Sequence, residues 1–419
     1  MRVLILGSGA KDHALTWWFS NSHLINGLFV APGNVGTESI AVNLSYVDAT
    51  SPQSVFRACK VHQIDTVFIG TEGPLYTGVV KMLQEKGITV YGATEAALPL
   101  ENDRKYSRDF AHSYGIPTAK HFLVNKKEEL SAYLDQHPNQ NFVIKSNLQA
   151  PSRVMLDSSN KKDLMDFASK LLQTTPALIE EHLKGLPLTV TLMLDGKHYL
   201  MLPICSEYTK TGHHGTPTGG MGAIAPLPIG SQKIDLIKKL IIEPMMKGLI
   251  KEHLNYKGVC TLSIIDTDDG PVLVDFHVRF NDPAAQAIIP LIYTDIAEIC
   301  QAMDNQTLDQ MKIDVSNESS TAVVVASQGY PGEPSIGKEL QQVPAPMLLN
   351  TFAVLPLFFF GSVAKSGYKL TTSGGRCVTV VGRSNNILNA NKHAYKYINN
   401  IKFDGSWYRE DIGDHFFSI

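Results

Sequence analysis

Short apolar runs alternate with helical spacing through the first hundred residues. Val3-Leu4-Ile5-Leu6 ends at Gly7 and reads as a buried parallel strand. Ala14, Leu15, Trp18 and Phe19 then recur at helical spacing. Leu28-Phe29-Val30 closes at Pro32 and Gly33, and Thr66 to Gly70 forms another strand with a helix from Gly78 to Gln84 behind it. Ile88 to Tyr91 closes a further strand at Gly92. Strands separated by helices predict right-handed crossovers and a parallel sheet. Ligands of such sheets sit beyond the carboxyl ends of the strands. Those ends are Gly7-Ser8-Gly9, Ala31-Pro32-Gly33-Asn34 and Gly70-Thr71-Glu72-Gly73.

The pattern then changes. Phe122-Leu123-Val124, Phe142-Val143-Ile144-Lys145 and Ala177-Leu178-Ile179-Glu180-Glu181 read as strands, with a helix from Lys161 to Leu172, and together predict a small α+β unit. A strand-rich part follows from Thr189 to about Ile289, with a helix from Ile234 to Glu252 inside it. Beyond Thr321, strands at Ala322–Ala326 and Val378–Val381 and a helix near Ile387–Ile398 make a last unit. The whole is expected to be an α/β protein.

Length and composition narrow the class. The chain has 419 residues, which at roughly 100–200 residues per domain argues for two to four domains. Hydrophobic residues make up 44%, enough for several cores. With 37 basic and 40 acidic residues the formal charge is −3, which excludes a strongly basic nucleic-acid binder as a class. The five cysteines are Cys59, Cys205, Cys260, Cys300 and Cys377, and none forms a C-x-x-C pair. A reducing compartment suits them better than a disulfide framework. Met1-Arg2 leads straight into a strand-like run, so a cytoplasmic location is expected. The most apolar stretch, Ala353 to Phe360, contains Pro356 and falls far short of the ~20 residues a membrane helix needs. Neither a membrane nor a nucleic acid is an expected partner.

Four segments offer chemistry. Gly7-Ser8-Gly9-Ala10-Lys11-Asp12-His13 follows a strand and opens a helix, where backbone N–H groups can approach a phosphate. Asp12 stands where a dinucleotide fingerprint wants its third glycine, so a tight turn without a ligand reads equally well. Gly215-Thr216-Pro217-Thr218-Gly219-Gly220-Met221-Gly222-Ala223 reads as a loop able to wrap an anion. Val272 to Pro283 reads as a strand running into a polar turn, and alternation puts Asp275, His277 and Arg279 on one face. An acid, an imidazole and a guanidinium together suit a metal–nucleotide site, or else a satisfied polar edge. Lys145 and Glu180-Glu181 end apolar strands, where a charge is costly to bury alone.

Read in order, the motifs resemble a known family. Gly7 to Ala14, Ala31 to Thr37, Gly70 to Leu75, Tyr114-Gly115-Ile116-Pro117-Thr118-Ala119 and Thr218 to Ala223 all fit it. So do Arg279-Phe280-Asn281-Asp282-Pro283, Gly329-Tyr330-Pro331-Gly332, Ser373-Gly374-Gly375-Arg376 and Phe403-Asp404-Gly405. The chain resembles the phosphoribosylamine–glycine ligases, or glycinamide ribonucleotide synthetases, nearly end to end. The resemblance implies an N-terminal doubly wound parallel α/β domain over 1–100 and a two-part ATP-grasp unit over 101–325 with a lid at about 119–188. A small C-terminal α+β domain over 326–419 completes it. It also implies ATP-driven ligation of glycine to phosphoribosylamine through a glycyl phosphate, with Mg²⁺ or Mn²⁺, in a monomer or weak homodimer.

Carried onto this chain, the resemblance puts Arg104, Lys145 and Arg153 at the ATP phosphates. Glu180, Glu181 and Leu183 fall at the adenine edge, and Asp275 and His277 at the metal. Arg279 and Asp282 become the catalytic pair. Gly9, Lys210, Thr218, Gly219, Gly220, Met221 and Gly222 would frame the two small substrates. Six places depart from the family's pattern, two of them Arg104, where a lysine is expected, and Asn281-Asp282-Pro283-Ala284 in place of Gly-Asp-Pro-Glu. The lid run Lys145-Ser146-Asn147-Leu148-Gln149-Ala150-Pro151-Ser152-Arg153 has no glycine. Glu207-Tyr208-Thr209-Lys210 replaces Gln-Asp-His-Lys, and Asp275-Phe276-His277 replaces Glu-Phe-Asn. Gly185-Leu186-Pro187 lacks the family's acids. These departures leave a second reading open, a binding or regulatory protein on the same fold.

Overall fold

The computed structural model describes residues 1–138, 140–148, 155–213, 215–341 and 357–416. The first segment is the expected parallel sheet. Its strands are β1 (Arg2–Gly7), β2 (Gly27–Pro32), β3 (Val42–Asn43), β4 (Thr66–Ile69) and β5 (Thr89–Tyr91). They lie in the order β3-β2-β1-β4-β5, every pair parallel. Helices α1 (Ala10–Ser20), α2 (Pro52–Val61) and α3 (Val79–Glu85) make the crossovers. The order reverses at β1 and β4, so the ligand crevice lies beyond Gly7 and Ile69.

Two short helices, α4 (Pro99–Asn102) and α5 (Arg104–Ser113), lead out of that sheet. Asp103 caps α5 by accepting from the Tyr106 N–H. A four-stranded antiparallel sheet follows, in the order β6-β9-β7-β8. It holds β6 (His121–Val124), β7 (Phe142–Ser146), β8 (Met155–Ser158) and β9 (Ala177–Glu181), backed by α6 (Lys127–Gln136) and α7 (Lys161–Leu171). Leu130, Leu134, Leu164 and Ala168 from the helices bury against Phe142, Ile144 and Ile179. Arg153 and most of the expected lid loop, residues 149–154, lie outside the described residues.

The strand-rich middle makes a second antiparallel sheet, β11-β10-β14-β15. Its strands are β10 (Leu186–Asp195), β11 (Tyr199–Met201), β14 (Lys257–Thr267) and β15 (Gly270–His277). Between them come β12 (Ser206–Lys210) and β13 (Pro217–Ala225), then α8 (Ser231–Ile237) and α9 (Glu243–Lys251). The single helix expected over 234–252 is broken by a wide π turn at Lys238–Ile242. Pro244 sits in the first turn of α9, where its missing N–H costs nothing.

The chain closes with α10 (Ala284–Ile288), α11 (Ile296–Asn305), β16 (Ser319–Ala326), β17 (Leu357–Phe360) and β18 (Val363–Ser366). After these come β19 (Lys369–Thr372), β20 (Arg376–Ser384) and α12 (Ile387–Ile398). The boundary expected at 325/326 falls inside β16. One sheet, β12-β13-β16-β20-β17, runs across it. Antiparallel pairing of Gly222 to Ala225 with Ser320 to Val323 makes residues from the middle of the chain part of the C-terminal sheet.

Helix α1 is buried along most of its length between the first and last sheets. His13 lies within it, edge-on to Phe359, and its Nδ1 accepts from the Phe360 N–H at 3.0 Å. Burial pushes this imidazole down to about 3, from 6.5. Its folded value is depressed, so the unfolded chain takes up the proton first as pH falls. Its contribution to stability is complete above pH 6.5 and is lost as pH drops toward 3. Between pH 8 and pH 5 this group alone should remove about 2 kcal/mol. Denaturant unfolding of the wild type and His13→Gln at both pH values checks it. The variant should lose less stability over that interval, and an equal loss contradicts the assignment.

Candidate functional site

A cleft of about 1190 Å³ opens where the sheet order reverses. The turn after β1 contributes Ser8, Gly9, Lys11 and Asp12, and the turn after β4 contributes Thr71, Glu72, Gly73 and Tyr76. Glu207, Thr209, Thr218 and Gly219 come from β12 and β13. Arg279, Asn281 and Asp282 follow β15, and Tyr330 and Arg376 reach in from the C-terminal part.

The Gly7-Ser8-Gly9 turn is already occupied by its own chain. The Asp12 carboxylate accepts from the Gly9 N–H at 2.8 Å, which caps α1. A side chain at Gly7 or Gly70 would overlap that carboxylate, so both glycines make room for Asp12 rather than for a phosphate. Lys11 is buried beside it and donates to the Phe280 carbonyl at 3.1 Å. Burial first, then the nearby Arg279 charge, lowers the Lys11 ammonium.

The glycine-rich run is a strand and not an anion loop. Residues 217–225 form β13, paired with β12 on one side and β16 on the other. Strand pleating turns successive positions to opposite faces. Thr218 and Gly219, at the start of the strand, nonetheless both line the cleft, as does Gly9, while Gly220, Met221 and Gly222 do not. Gly220 packs its backbone on Asp282-Pro283, Met221 is buried with Val324 and Ala326, and Ile412 covers Gly222. Lys210 also lies off the cleft, with its ammonium 3.8 Å from Asp157. Gly219 is held at both ends from the C-terminal part. Its N–H donates to the Tyr330 hydroxyl at 2.8 Å, and its carbonyl accepts from Arg376 at 2.8 Å. Arg376 also pairs with Asp282 at 3.1 Å.

Asp275, His277 and Arg279 all turn toward α4 and α5. Glu101 receives Arg279 at 3.0 Å, lies 3.4 Å from His277 Nδ1, and accepts from the Val278 N–H at 2.9 Å. Glu72 makes a second ion pair with Arg279. Burial would raise the Glu101 carboxyl, but Arg279 and then His277 hold it well below the usual carboxylate range. Lys145 bridges the two sheets, 2.7 Å from Glu180 and 3.4 Å from Asp275. Arg104 lies 3.7 Å from Asp275, and Arg108 lies 2.6 Å from Glu180 and 3.5 Å from Asp275. Burial raises the Asp275 carboxyl, yet Lys145, Arg104 and Arg108 together hold it far below its ordinary value. Glu181 accepts from the Lys120 N–H at 3.1 Å, and Leu183 follows the end of β9, half-buried.

The divalent ion implied by the resemblance does not fit the arrangement of these donors. The Asp275 oxygens face three cations, and the His277 ring lies between Ser263 and Glu101. Among the described residues no group of three or more His, Cys, Asp or Glu side chains could hold a metal.

Sequence reasoning missed Lys11, Glu72, Glu101, Arg108, Asn281, Tyr330 and Arg376. Tyr330 and Arg376 stood in quoted motifs but had no role until the C-terminal sheet brought them against Gly219. Arg108 and Glu101 carried no signal beyond being charges later found buried.

Comparison with known proteins identifies the family. Three family models match consecutive parts of the chain. They are the phosphoribosylglycinamide synthetase N domain at residues 1–101, its ATP-grasp (A) domain at 102–285 and its C domain at 320–415. A phosphoribosylamine–glycine ligase of Salmonella typhimurium is 31% identical over 428 residues, covering 99% of this chain and 98% of that one. The trifunctional purine biosynthetic protein adenosine-3 of Homo sapiens is 31% identical over 424 residues. There the chain spans 42% of the relative's length. The crystal structure of a phosphoribosylamine–glycine ligase from Thermotoga maritima superposes with a TM-score of 0.82 at 27% identity, covering 99% of this chain and 100% of that one. A biotin carboxylase from Campylobacter jejuni shares the fold, with a TM-score of 0.71 at 12% identity, covering 98% of this chain and 93% of that one. A cleft closed by all three matched segments, in a chain matched from end to end, makes this protein a member of the phosphoribosylglycinamide synthetase family.

Proposed function

We propose that the chain joins glycine to phosphoribosylamine in an ATP-driven reaction, giving glycinamide ribonucleotide, ADP and phosphate. One observation carries the reading. The cleft at the sheet's switch point is walled by all three matched segments and shares the Asp275–Arg279 row with the cation cluster. Lys145 and Arg104 bind the ATP phosphates, and the end of β9, with Glu180, Glu181 and Leu183, borders the adenine. The glycine carboxylate attacks the γ-phosphorus and ADP leaves. The amine of phosphoribosylamine then attacks the acyl carbon, the bond to the phosphate oxygen breaks, and the amine sheds a proton.

Arg279 faces the transferred phosphoryl group. Its guanidinium is held in advance by Glu101 and Glu72, so stabilising the developing charge needs no reorganisation. Asp282 lies on the cleft wall beside Arg376 and is the group placed to take the amine's proton. Gly9, Thr218 and Gly219 form the wall against which the two small substrates are held together. All five cysteines are buried and free, which supports a reducing, cytoplasmic setting. Among the described residues no helix is long and apolar enough to cross a membrane.

The test is phosphate release and chromatographic detection of glycinamide ribonucleotide from ATP, glycine and freshly made phosphoribosylamine. Product should form only when all three are present. ATP binding without product would overturn the reading in favour of a binding protein.

A further inference from the structure

Five charges meet between the two antiparallel sheets. Arg104, Arg108 and Lys145 surround Glu180 and Asp275, three cations against two carboxylates. The three cations are not equivalent. Arg104 and Asp275 keep 13% and 24% of their side-chain surface open. Lys145 is buried but sits at the end of a flexible stem on β7, next to the phosphate side of the site. Arg108 has none of its side chain exposed and is pinned at several points. It pairs with Glu180, donates to the Ser107 hydroxyl at 3.1 Å and to the Val274 carbonyl, and reaches Asp275. Arg104 donates to the Ser146 carbonyl at 2.5 Å and Lys145 lies between the two carboxylates, so these two edge the phosphate side while Arg108 stays under Asp275.

The consequence concerns the metal. Aspartate is one methylene shorter than the glutamate in the family's pattern, so the Asp275 carboxylate sits back against the guanidinium. A divalent ion placed on it would meet a fixed positive charge at close range, where like charges repel strongly. The His277 ring is turned to Ser263 at 3.1 Å and Glu101 at 3.4 Å rather than toward Asp275.

We propose that this site takes the polyphosphate of a nucleoside triphosphate without a divalent ion on Asp275, the fixed cation there being Arg108. Arg108 is a positioning residue. It holds Asp275 and Glu180 in place, and through them the two other cations, which meet the phosphates. The proposal rests on reading the chain as an ATP-dependent ligase.

The experiment is calorimetric titration of the full chain with ATP, once in EDTA and once in excess Mg²⁺. The two dissociation constants should agree within about threefold. Arg108→Gln should weaken binding in EDTA by about tenfold or more, with Arg108→Lys restoring part of it. Asp275→Asn should leave the ratio of the EDTA and Mg²⁺ constants unchanged. If Arg108→Gln does not fold, the wild-type and Asp275→Asn ratios decide alone. Binding that requires Mg²⁺, with that requirement lost in Asp275→Asn, makes Asp275 a metal ligand and overturns the proposal while leaving the ligase reading intact. No binding under either condition overturns the proposal, and the product assay then decides the ligase reading separately.

Discussion

Arg279→Ala should slow ligation by on the order of 10²–10³ and destabilise the fold by about 3–5 kcal/mol. The two effects have separate causes. The rate loss comes from removing a pre-oriented guanidinium from the phosphoryl site. The stability loss comes from Glu101, whose side chain is 1% exposed and whose partner at 3.0 Å disappears. Its carboxylate, buried and still facing His277 and the Val278 N–H, would lose its guanidinium counter-charge. Arg279→Lys separates the causes. An ammonium can keep the charge opposite Glu101, so most of the stability should return. Both glutamates meet one guanidinium nitrogen, and an ammonium lacks the further planar N–H groups that a guanidinium offers a phosphoryl oxygen, so the rate should stay low. Steady-state kinetics and chemical denaturation of both variants measure this. An alanine variant within tenfold of wild-type rate would remove Arg279 from the chemistry, and one of unchanged stability would refute the buried pairing.

Gly220→Ala should cost about 3–5 kcal/mol and raise the KM for the small substrates. Gly220 has a φ of +116°, a region that L side chains rarely adopt. An added Cβ would overlap the Asp282 carbonyl and stand 2.6 Å from Pro283 Cδ. Both obstacles are backbone or ring, so neither can turn aside. Relief requires β13 and the Asp282 turn to separate, which moves Gly219 and Asp282 apart across the cleft. Gly212→Ala is the control, because a Cβ there meets nothing within 4 Å. Thermal unfolding and KM for glycine test the pair. Equal stability of the two variants would show that the Gly220–Asp282 contact does not govern the site.

Much of the architecture was legible before any coordinate. Four of the five strands of the first sheet could be read because each is a short apolar run closed by glycine or proline, while β3, only Val42–Asn43, carries no such run. Such local patterns are set by neighbours a few residues apart. The helix at Ile387–Ile398 was read to the residue for the same reason. Lys145 and Glu180 were singled out because a charge ending an apolar strand needs a partner, and Arg279 because alternation sets it on one face with Asp275 and His277. The partners themselves could not be read, since Arg108 and Glu180 are 72 positions apart and Glu101 and Arg279 are 178. The glycine run at 215–223 shows the opposite failure. Its composition says loop, but pairing with Ser320 to Val323, about a hundred residues on, makes it a strand and turns Met221 inward.

The sequence by itself determined the parallel N-terminal sheet, the kinship carried by its motifs, and which charges would have to be explained. Tertiary structure alone decided which of those charges meet. It placed Arg108 under Asp275, decided for Asp12 a turn that the motif left open between a phosphate and no ligand, and brought Tyr330 and Arg376 to Gly219. The physical reason is the range of the forces involved. Backbone preference and apolar periodicity act within a few residues and are written along the chain. A buried charge is stable only beside its counter-charge, and the residue that supplies it is chosen by how the sheets pack.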